Sequence, residues 1–270
     1  MKIGITPQFN IKNIPSCQRN MTPTFGCQND TFEKSTPIQV IELCRKDGRP
    51  RFVEYNGKDK AYIFKKVYND KTGQIEKQKV EVCVGSLSSC HTNTYYFFDD
   101  KTKKELGRVE INTIKKPRIH NFYEDLLSDL IEKDYPEFGI VGNRISINYL
   151  ENSYPDEYSG IGEAADQIAI EYCINNNIPL QLVSEAEKGS VIAHYKRGRK
   201  FLPVEGSDYR KFMDNFGTND PNKIIEERIK QNPDNKNIYC DDIYKTYMYM
   251  PEEVVEKYLE RIKEKPILHE

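Results

Sequence analysis

Hydrophobic and polar positions change their period twice along this chain, and the changes divide it into regions. Residues 1 to about 35 are rich in Asn, Thr, Pro, Gln and Ser and show no period. Such a segment reads as an extended or disordered leader. From residue 37 the pattern becomes strand-like. Pro37-Ile38-Gln39-Val40-Ile41-Glu42-Leu43-Cys44 is a β-rich run ending at the turn signal Lys46-Asp47-Gly48. Ala61 to Tyr68 predicts a second strand, closed by Asn69-Asp70-Lys71-Thr72-Gly73. Alternation from Lys77 to Gly85 sets Val80, Val82 and Val84 on one face. Thr94 to Phe98 and Leu106 to Ile111 flank Asp99-Asp100-Lys101-Thr102-Lys103, which predicts a hairpin. The first half therefore reads as a mostly antiparallel sheet.

The second half mixes both periods. Phe122, Leu126, Leu127, Leu130 and Ile131 share a face of a helix over 121–133, closed by Pro136 and Gly139. Arg144 to Leu150 alternates as a strand, with Ile145, Ile147 and Tyr149 facing one way and Ser146, Asn148 and Leu150 the other. After a turn at 153–157, Ile161, Ala164, Ala165, Ile168, Ala169 and Tyr172 recur at helical spacing until Asn175-Asn176-Asn177 stops them. Pro179 to Val183 reads as a short buried strand, Ser190 to Lys196 as a helix and Lys245 to Met250 as a last strand. Glu252 to Glu264 closes the chain as a helix with Val255, Tyr258, Leu259 and Ile262 inward. The segment 202–240 is a long polar insertion before the last strand. The expected organisation is a leader over 1–35 and a single domain over 36–270.

Charge then narrows the class. Lys plus Arg is 40 and Asp plus Glu is 42 in 270 residues, so bulk electrostatic binding of nucleic acid is not expected. No apolar run approaches the about 20 residues that span a bilayer. The N-terminus Met-Lys-Ile-Gly-Ile-Thr-Pro has no apolar secretory core. Seven cysteines, an odd number without a C-x-x-C pair, read as reduced thiols in a cytoplasm, and Cys173 as a small core residue. No metal-ligand spacing occurs, so no metal is expected.

The chemistry concentrates where strand 144–150 feeds Gly160-Ile161-Gly162 and then a helix. Glycines let a backbone approach an anion closely, and the N–H groups at a helix start point at it. The N–H groups of about 158–163 are the candidate donors; a tight packing turn is the other reading of the same residues. No Walker A string is present. Gly160-Ile161-Gly162-Glu163-Ala164-Ala165 satisfies the Rossmann fingerprint only loosely, and Pro179-Leu180-Gln181 stands where its acidic residue belongs. Hairpin-forming strands precede it, so a dinucleotide fold is not expected. Lys196-Arg197-Gly198-Arg199-Lys200 is the densest basic run and reads either as a solvated face or as a contact for a phosphate or an acidic acceptor. His194 reads as packed or exposed, and His91 and His120 lie in turns.

Over about 90–215 and 240–251 the chain resembles the GCN5-related N-acetyltransferase (GNAT) superfamily. That family's central motif is [RQ]-x-x-G-x-[GA]; here Glu157-Tyr158-Ser159-Gly160-Ile161-Gly162 matches both glycines but carries Glu at the first position. A later family helix ends in A-x-x-F-Y-x-x-x-G-F. Ala193-His194-Tyr195-Lys196-Arg197-Gly198-Arg199 sets Tyr195 on its tyrosine, with Gly198 offset by one and Arg199 replacing the aromatic. Tyr244 to Pro251 is similar to the family's last strand.

The resemblance implies an α+β fold with a mixed, mainly antiparallel central sheet flanked by helices. It implies acetyl-CoA as co-substrate and direct attack of an unidentified amine acceptor on the thioester. Ile147, Tyr149, Tyr158, Ser159, Gly160, Ile161, Gly162, Glu163 and Ser190 would then contact the donor. Tyr195 would protonate the departing thiolate, or simply cap a pocket. Glu151 and Glu110 would be the candidate bases, or plain surface carboxylates. Backbone N–H groups of strand 145–150 would polarise the carbonyl. The alternative is a catalytically degenerate binding module of the same fold, which the Glu157 and Arg199 departures favour.

Overall fold

The computed structural model describes residues 37–89, 92–114, 144–180, 182–187, 190–202 and 245–269, with 223, 226, 227 and 230. The helix expected over 121–133 and the segment 1–35 lie outside these residues, as does nearly all of 202–240.

Alternation makes the strands. The first seven are β1 (Gln39–Cys44), β2 (Pro50–Tyr55), β3 (Lys60–Asn69), β4 (Gln74–Ser88), β5 (Thr92–Phe98), β6 (Glu105–Ile114) and β7 (Arg144–Asn152). After β8 (Tyr158–Ser159) comes helix α1 (Ile161–Asn175), then β9 (Leu182–Glu187) and α2 (Val191–Lys196). β10 (Lys200–Leu202), β11 (Lys245–Tyr249) and α3 (Glu252–Glu264) follow. Eleven strands among the described residues form one sheet, ordered β1-β2-β4-β5-β6-β7-β9-β11-β10, with β3 against β4 and β8 against β3. The ladders between these strands are antiparallel except β7–β9, where α1 supplies the crossover that a parallel pair requires.

The helix sits where its apolar stripe dictates. Ile161, Ala164, Ala165, Ile168 and Ala169 are fully or almost fully buried and pack on Val109, Ile111, Ile145 and Ile147 of the sheet. The alanines present no bulk, so α1 lies close on β6 and β7. Tyr172 reaches past that layer, and its hydroxyl takes a hydrogen bond from Asn93 Nδ2 at 2.9 Å. Val254, Val255 and Tyr258 of α3 join the same core. On the other face, Leu43, Val53, Tyr55, Cys83, Tyr96 and Phe98 make a second, smaller cluster.

Several elements depart from the sequence reading. β2 was not anticipated, and it forms the β1 hairpin with Val40 opposite Glu54. The strand expected over 179–183 runs instead over Leu182–Glu187. In β7 the alternation breaks: Ile111 pairs with Ile147, while its neighbour Glu110 pairs with Tyr149. One residue, Asn148, is therefore extra on β7, a β-bulge. The bulge reverses the faces beyond it. Tyr149, expected beside Ile145 and Ile147, is 44% exposed, and Leu150 packs on the core.

Candidate functional site

Three features stand around the parallel pair and the helices that follow its strands. The first is a wedge. β7 and β9 pair only through Ile145–Leu182, Ser146–Val183 and Ile147–Ser184. Beyond Ile147 the β7 bulge turns its chain, and β9 stays with β11 as far as Glu187 opposite Lys245. The backbone of 148–152 on that edge has no strand partner among the described residues. Ile147 closes the wedge at its base, and Tyr149 lies beyond it on the outer face.

The second feature is the turn at the start of α1. Gly160 caps the helix at φ 89°, a left-handed conformation that costs a side-chain-bearing residue about 1–2 kcal/mol. A Cβ on Gly160 would stand 3.1 Å from the Phe64 ring, and one on Gly162 would stand 2.7 Å from Arg197 Nη1. Tyr158 and Ser159 reach this turn as β8, paired with Lys65 and Phe64 of β3. Lys66 N donates to the Glu157 carbonyl at 2.7 Å, so the approach to the turn is stapled to the sheet. Ser159 Oγ is buried and makes no hydrogen bond among the described residues. Ile161 is buried in the core and Glu163 is exposed. Intrahelical bonding starts with Ala164 N to Gly160 O, so the N–H groups of Ile161, Gly162 and Glu163 have no helical acceptor; Tyr158 N, also expected as a donor, is instead spent on the Tyr154 carbonyl at 2.8 Å. Glu157, the residue that departs from the family motif, points outward to Lys104 Nζ at 3.2 Å. Its charge is met away from the turn.

The third feature is Tyr195 on α2, whose hydroxyl donates to Glu226 Oε1 at 2.8 Å. Ser190 is the N-cap residue of the same helix. Glu226 has no counterpart in the sequence reading, since it lies in the polar insertion with nothing nearby to mark it.

The two carboxylates proposed as bases come together on the outer sheet face but differ in surroundings. Glu151 accepts from Arg108 Nε at 3.1 Å and from the Tyr149 hydroxyl at 3.3 Å. Arg108 also lies over the Tyr149 ring, 4.7 Å from its centre. Glu110 is the cross-strand partner of Tyr149 and has no ion-pair partner among the described residues.

A buried ionic centre locks these parts. Asp166 on α1 accepts from Arg199 Nη2 at 2.8 Å and from Arg197 Nε at 2.7 Å. Burial drives the Asp166 carboxyl upward, but Arg199 and then Arg197 outweigh it and hold it below its ordinary range. Arg199 is wholly buried and also donates to Ser184 Oγ on β9 at 3.1 Å. His194 packs against Arg197, and burial, with Arg199 and Arg197, pushes its imidazole down to about 3. Both arginines of the basic run are therefore paired with Asp166, and Arg199 lies in the interior rather than on a solvated face. Arg199, which breaks the resemblance to an aromatic at this place, is held by a carboxylate 33 residues earlier in the chain.

Among the described residues, no group of His, Cys, Asp and Glu could hold a metal ion. No helix among them is long and apolar enough to cross a membrane.

The parallel pair that opens inside an otherwise antiparallel sheet, the bulged strand before it and the glycine-led helix after it decide the architecture. The fold is GNAT-like. No protein-family model matches the chain, and no curated protein matches it. Among solved structures, a putative arylalkylamine N-acetyltransferase 7 from the yellow fever mosquito is similar over 72% of this chain and 93% of its own. Identity there is 11% and the TM-score 0.39. The CoA-dependent acyl-homoserine lactone synthase BjaI, with SAM and isopentyl-CoA, shares 9% identity at a TM-score of 0.32. This chain spans 64% of that synthase, and the match covers 64% of this chain. The fold rests on the strand topology, with α1 crossing from β7 to its parallel neighbour β9.

Proposed function

We propose that this chain is an acyl-CoA-dependent N-acyltransferase with acetyl-CoA as donor. The observation that carries the reading is the β7–β9 wedge opening beside the left-handed Gly160 turn. The wedge offers unpaired backbone groups to an extended amide-bearing arm, and the turn offers unpaired N–H groups to a diphosphate. The buried, unbonded Ser159 Oγ fits a further hydrogen bond at the same place. A bound thioester supplies the activated acyl group.

The chain's own residues do the rest. N–H groups beyond the bulge polarise the carbonyl oxygen as the amine nitrogen bonds to the carbonyl carbon. Glu110, free of an ion pair among the described residues, takes the proton that the amine loses. Glu151 is the weaker candidate because Arg108 already holds it. When the carbon–sulfur bond breaks, Tyr195 gives its proton to the sulfur, and Glu226 orients that hydroxyl. The products are an N-acyl amine and a free thiol.

The test is turnover of acetyl-CoA against a panel of amines, followed by free-thiol release. Tyr195→Phe should lose kcat, most strongly at high pH, and keep donor affinity. A specific observation favours the second reading, a binding module: Tyr195 and Glu151 are both engaged by neighbouring side chains. Donor binding without turnover of any amine would select it.

A further inference from the structure

Past the body of the sheet, β3 and β4 run on as a two-stranded ribbon. Pairing of β3 with β8 ends at Lys65, and β5 and β2 first meet β4 at Cys83 and Ser86. From Gln74 to Val82, β4 therefore pairs only with β3 among the described residues. A hairpin standing alone is marginally stable in water, and this one carries two further costs. Lys66 stands directly opposite Lys77, a like-charge pair. Tyr68 stands opposite Ile75, and the two are 61% and 65% exposed. Both pairs lie on one face, which Phe64 and Lys79 continue toward the body. On that face the strands hold no carboxylate before Glu81, which is taken by Lys60 and the Tyr62 hydroxyl. Glu76 lies on the opposite face, where it accepts from Asn69. Residues 65–79 hold five lysines against Asp70 and Glu76, in a chain whose formal net charge is -2. Lys65, Lys71, Lys77 and Lys79 have no carboxylate partner among the described residues, and Lys66 donates to the Pro155 carbonyl at 2.7 Å.

Lysines that repel one another across a ribbon, and apolar side chains left in water, cost stability with no packing in return. A bound polyanion offsets the first and an apolar, planar ligand the second. Rings alternating with lysines on one face suit a chain that carries both, with phosphates on the ammonium groups and bases stacked on the rings. A duplex meets the charge but keeps its bases paired inside. A lipid surface suits the ribbon less, because the turn 69–73 that would enter first is polar and carries Asp70. We propose that the outer half of the β3–β4 ribbon binds single-stranded nucleic acid, with Tyr68 as the stacking platform and Lys66, Lys77 and Lys79 as the phosphate contacts. Tyr68 lies four residues beyond Phe64, the ring at the Gly160 turn, which is about 14 Å along the strand. The surface is therefore separate from the donor site and does not rest on the acyl-transfer reading.

The experiment is fluorescence anisotropy of the full chain with a labelled twenty-nucleotide oligouridine over a range of salt concentrations. Competitors are the same strand paired to oligoadenosine, polyglutamate, phosphatidylserine vesicles and acetyl-CoA. The single strand should bind at low salt, at least tenfold tighter than the duplex. Three phosphate contacts predict that log K falls against log salt with a slope of about −2. Lys77→Gln/Lys79→Gln should weaken binding at least tenfold and flatten that slope by about 1.4. The same variant removes the repulsion between Lys66 and Lys77, so it should melt no lower than the wild type, which checks its fold. Tyr68→Ala should weaken binding at least fivefold at every salt concentration and leave the slope unchanged. Lys257→Gln, on the exposed side of α3, should change nothing. Polyglutamate, vesicles and acetyl-CoA should leave the oligonucleotide bound. Absence of binding at low salt overturns the proposal, as does binding that ignores either ribbon variant. A duplex that binds as tightly overturns it, and so does displacement by vesicles, by polyglutamate or by acetyl-CoA, the last because it would place the strand in the donor site.

Discussion

Asp166→Asn removes the buried carboxylate that pairs with both Arg197 and Arg199. Asp166 and Arg199 side chains are 1% and 0% exposed, and Arg197 is 11% exposed. Arg197 can turn toward solvent, but Arg199 cannot, and its Nε already has no partner among the described residues. An uncompensated buried charge of this kind costs about 3–5 kcal/mol. For a domain of this size each kcal/mol moves the midpoint by about 2–4 °C, so melting should fall by about 6–20 °C. The assay is thermal unfolding followed by far-UV circular dichroism, with urea melts to check a constant slope. Arg199→Met alone should cost a similar amount, because Asp166 then keeps one partner in place of two. Asp166→Leu with Arg199→Met should recover most of the loss, since an apolar pair of matching volume needs no desolvation. The pH dependence carries the sign. The folded Asp166 carboxyl lies below its ordinary value of 3.8, so its stabilisation is present above that value. It is lost as pH falls through the folded-state value, and Asp166→Asn should lack that acid arm. A drop under 2 °C in Asp166→Asn would refute the reasoning, as would a double variant as unstable as the two singles summed.

Other consequences follow from single contacts. His194 is held neutral down to about 3 when folded, against an ordinary 6.5, so its contribution is present above 6.5 and shrinks as pH falls below it; His194→Gln should flatten the urea-melt profile between those values. Glu171 accepts the N–H groups of Ile267 and Leu268, so Glu171→Ala should cost about 1–3 kcal/mol and speed proteolysis after residue 264. Burial raises the Glu171 carboxyl, so what it contributes declines as pH rises through its folded value, a decline that Glu171→Gln should abolish. Gly160→Ala, at φ 89° and against Phe64, should lower stability by about 1–2 kcal/mol in thermal melts and weaken CoA binding in calorimetry. Glu110→Gln should lower kcat by about 10²–10⁴ if Glu110 is the base, and Glu151→Gln should lower it less.

What was legible in the sequence was whatever a local period expresses. β3, the β5–β6 hairpin, α1 and α3 each carry enough alternating or helical positions to declare themselves. β2 begins at Pro50 and interleaves Arg51 and Glu54 with Phe52 and Val53, and its pairing with β1 comes from the hairpin geometry. β10 is three residues long, too short for any period. The bulge at Asn148 left no mark, because an extra residue reads as ordinary alternation until its partner strand is known. That one residue moved Tyr149 outward beside Glu110 and Glu151. The glycine turn was legible because only glycine tolerates φ 89° at Gly160 without strain. Arg199 was not, since a basic run looks solvated unless Asp166 is known to face it.

The most direct test of the donor site is calorimetric titration of the full chain with acetyl-CoA, repeated as a thermal shift. The account predicts saturable binding. At about a hundred times Kd it predicts about 2.7 kcal/mol of added stability, which Gly160→Ala diminishes. Absence of both heat and thermal shift at millimolar acetyl-CoA would contradict it and leave the Gly160 turn as packing alone.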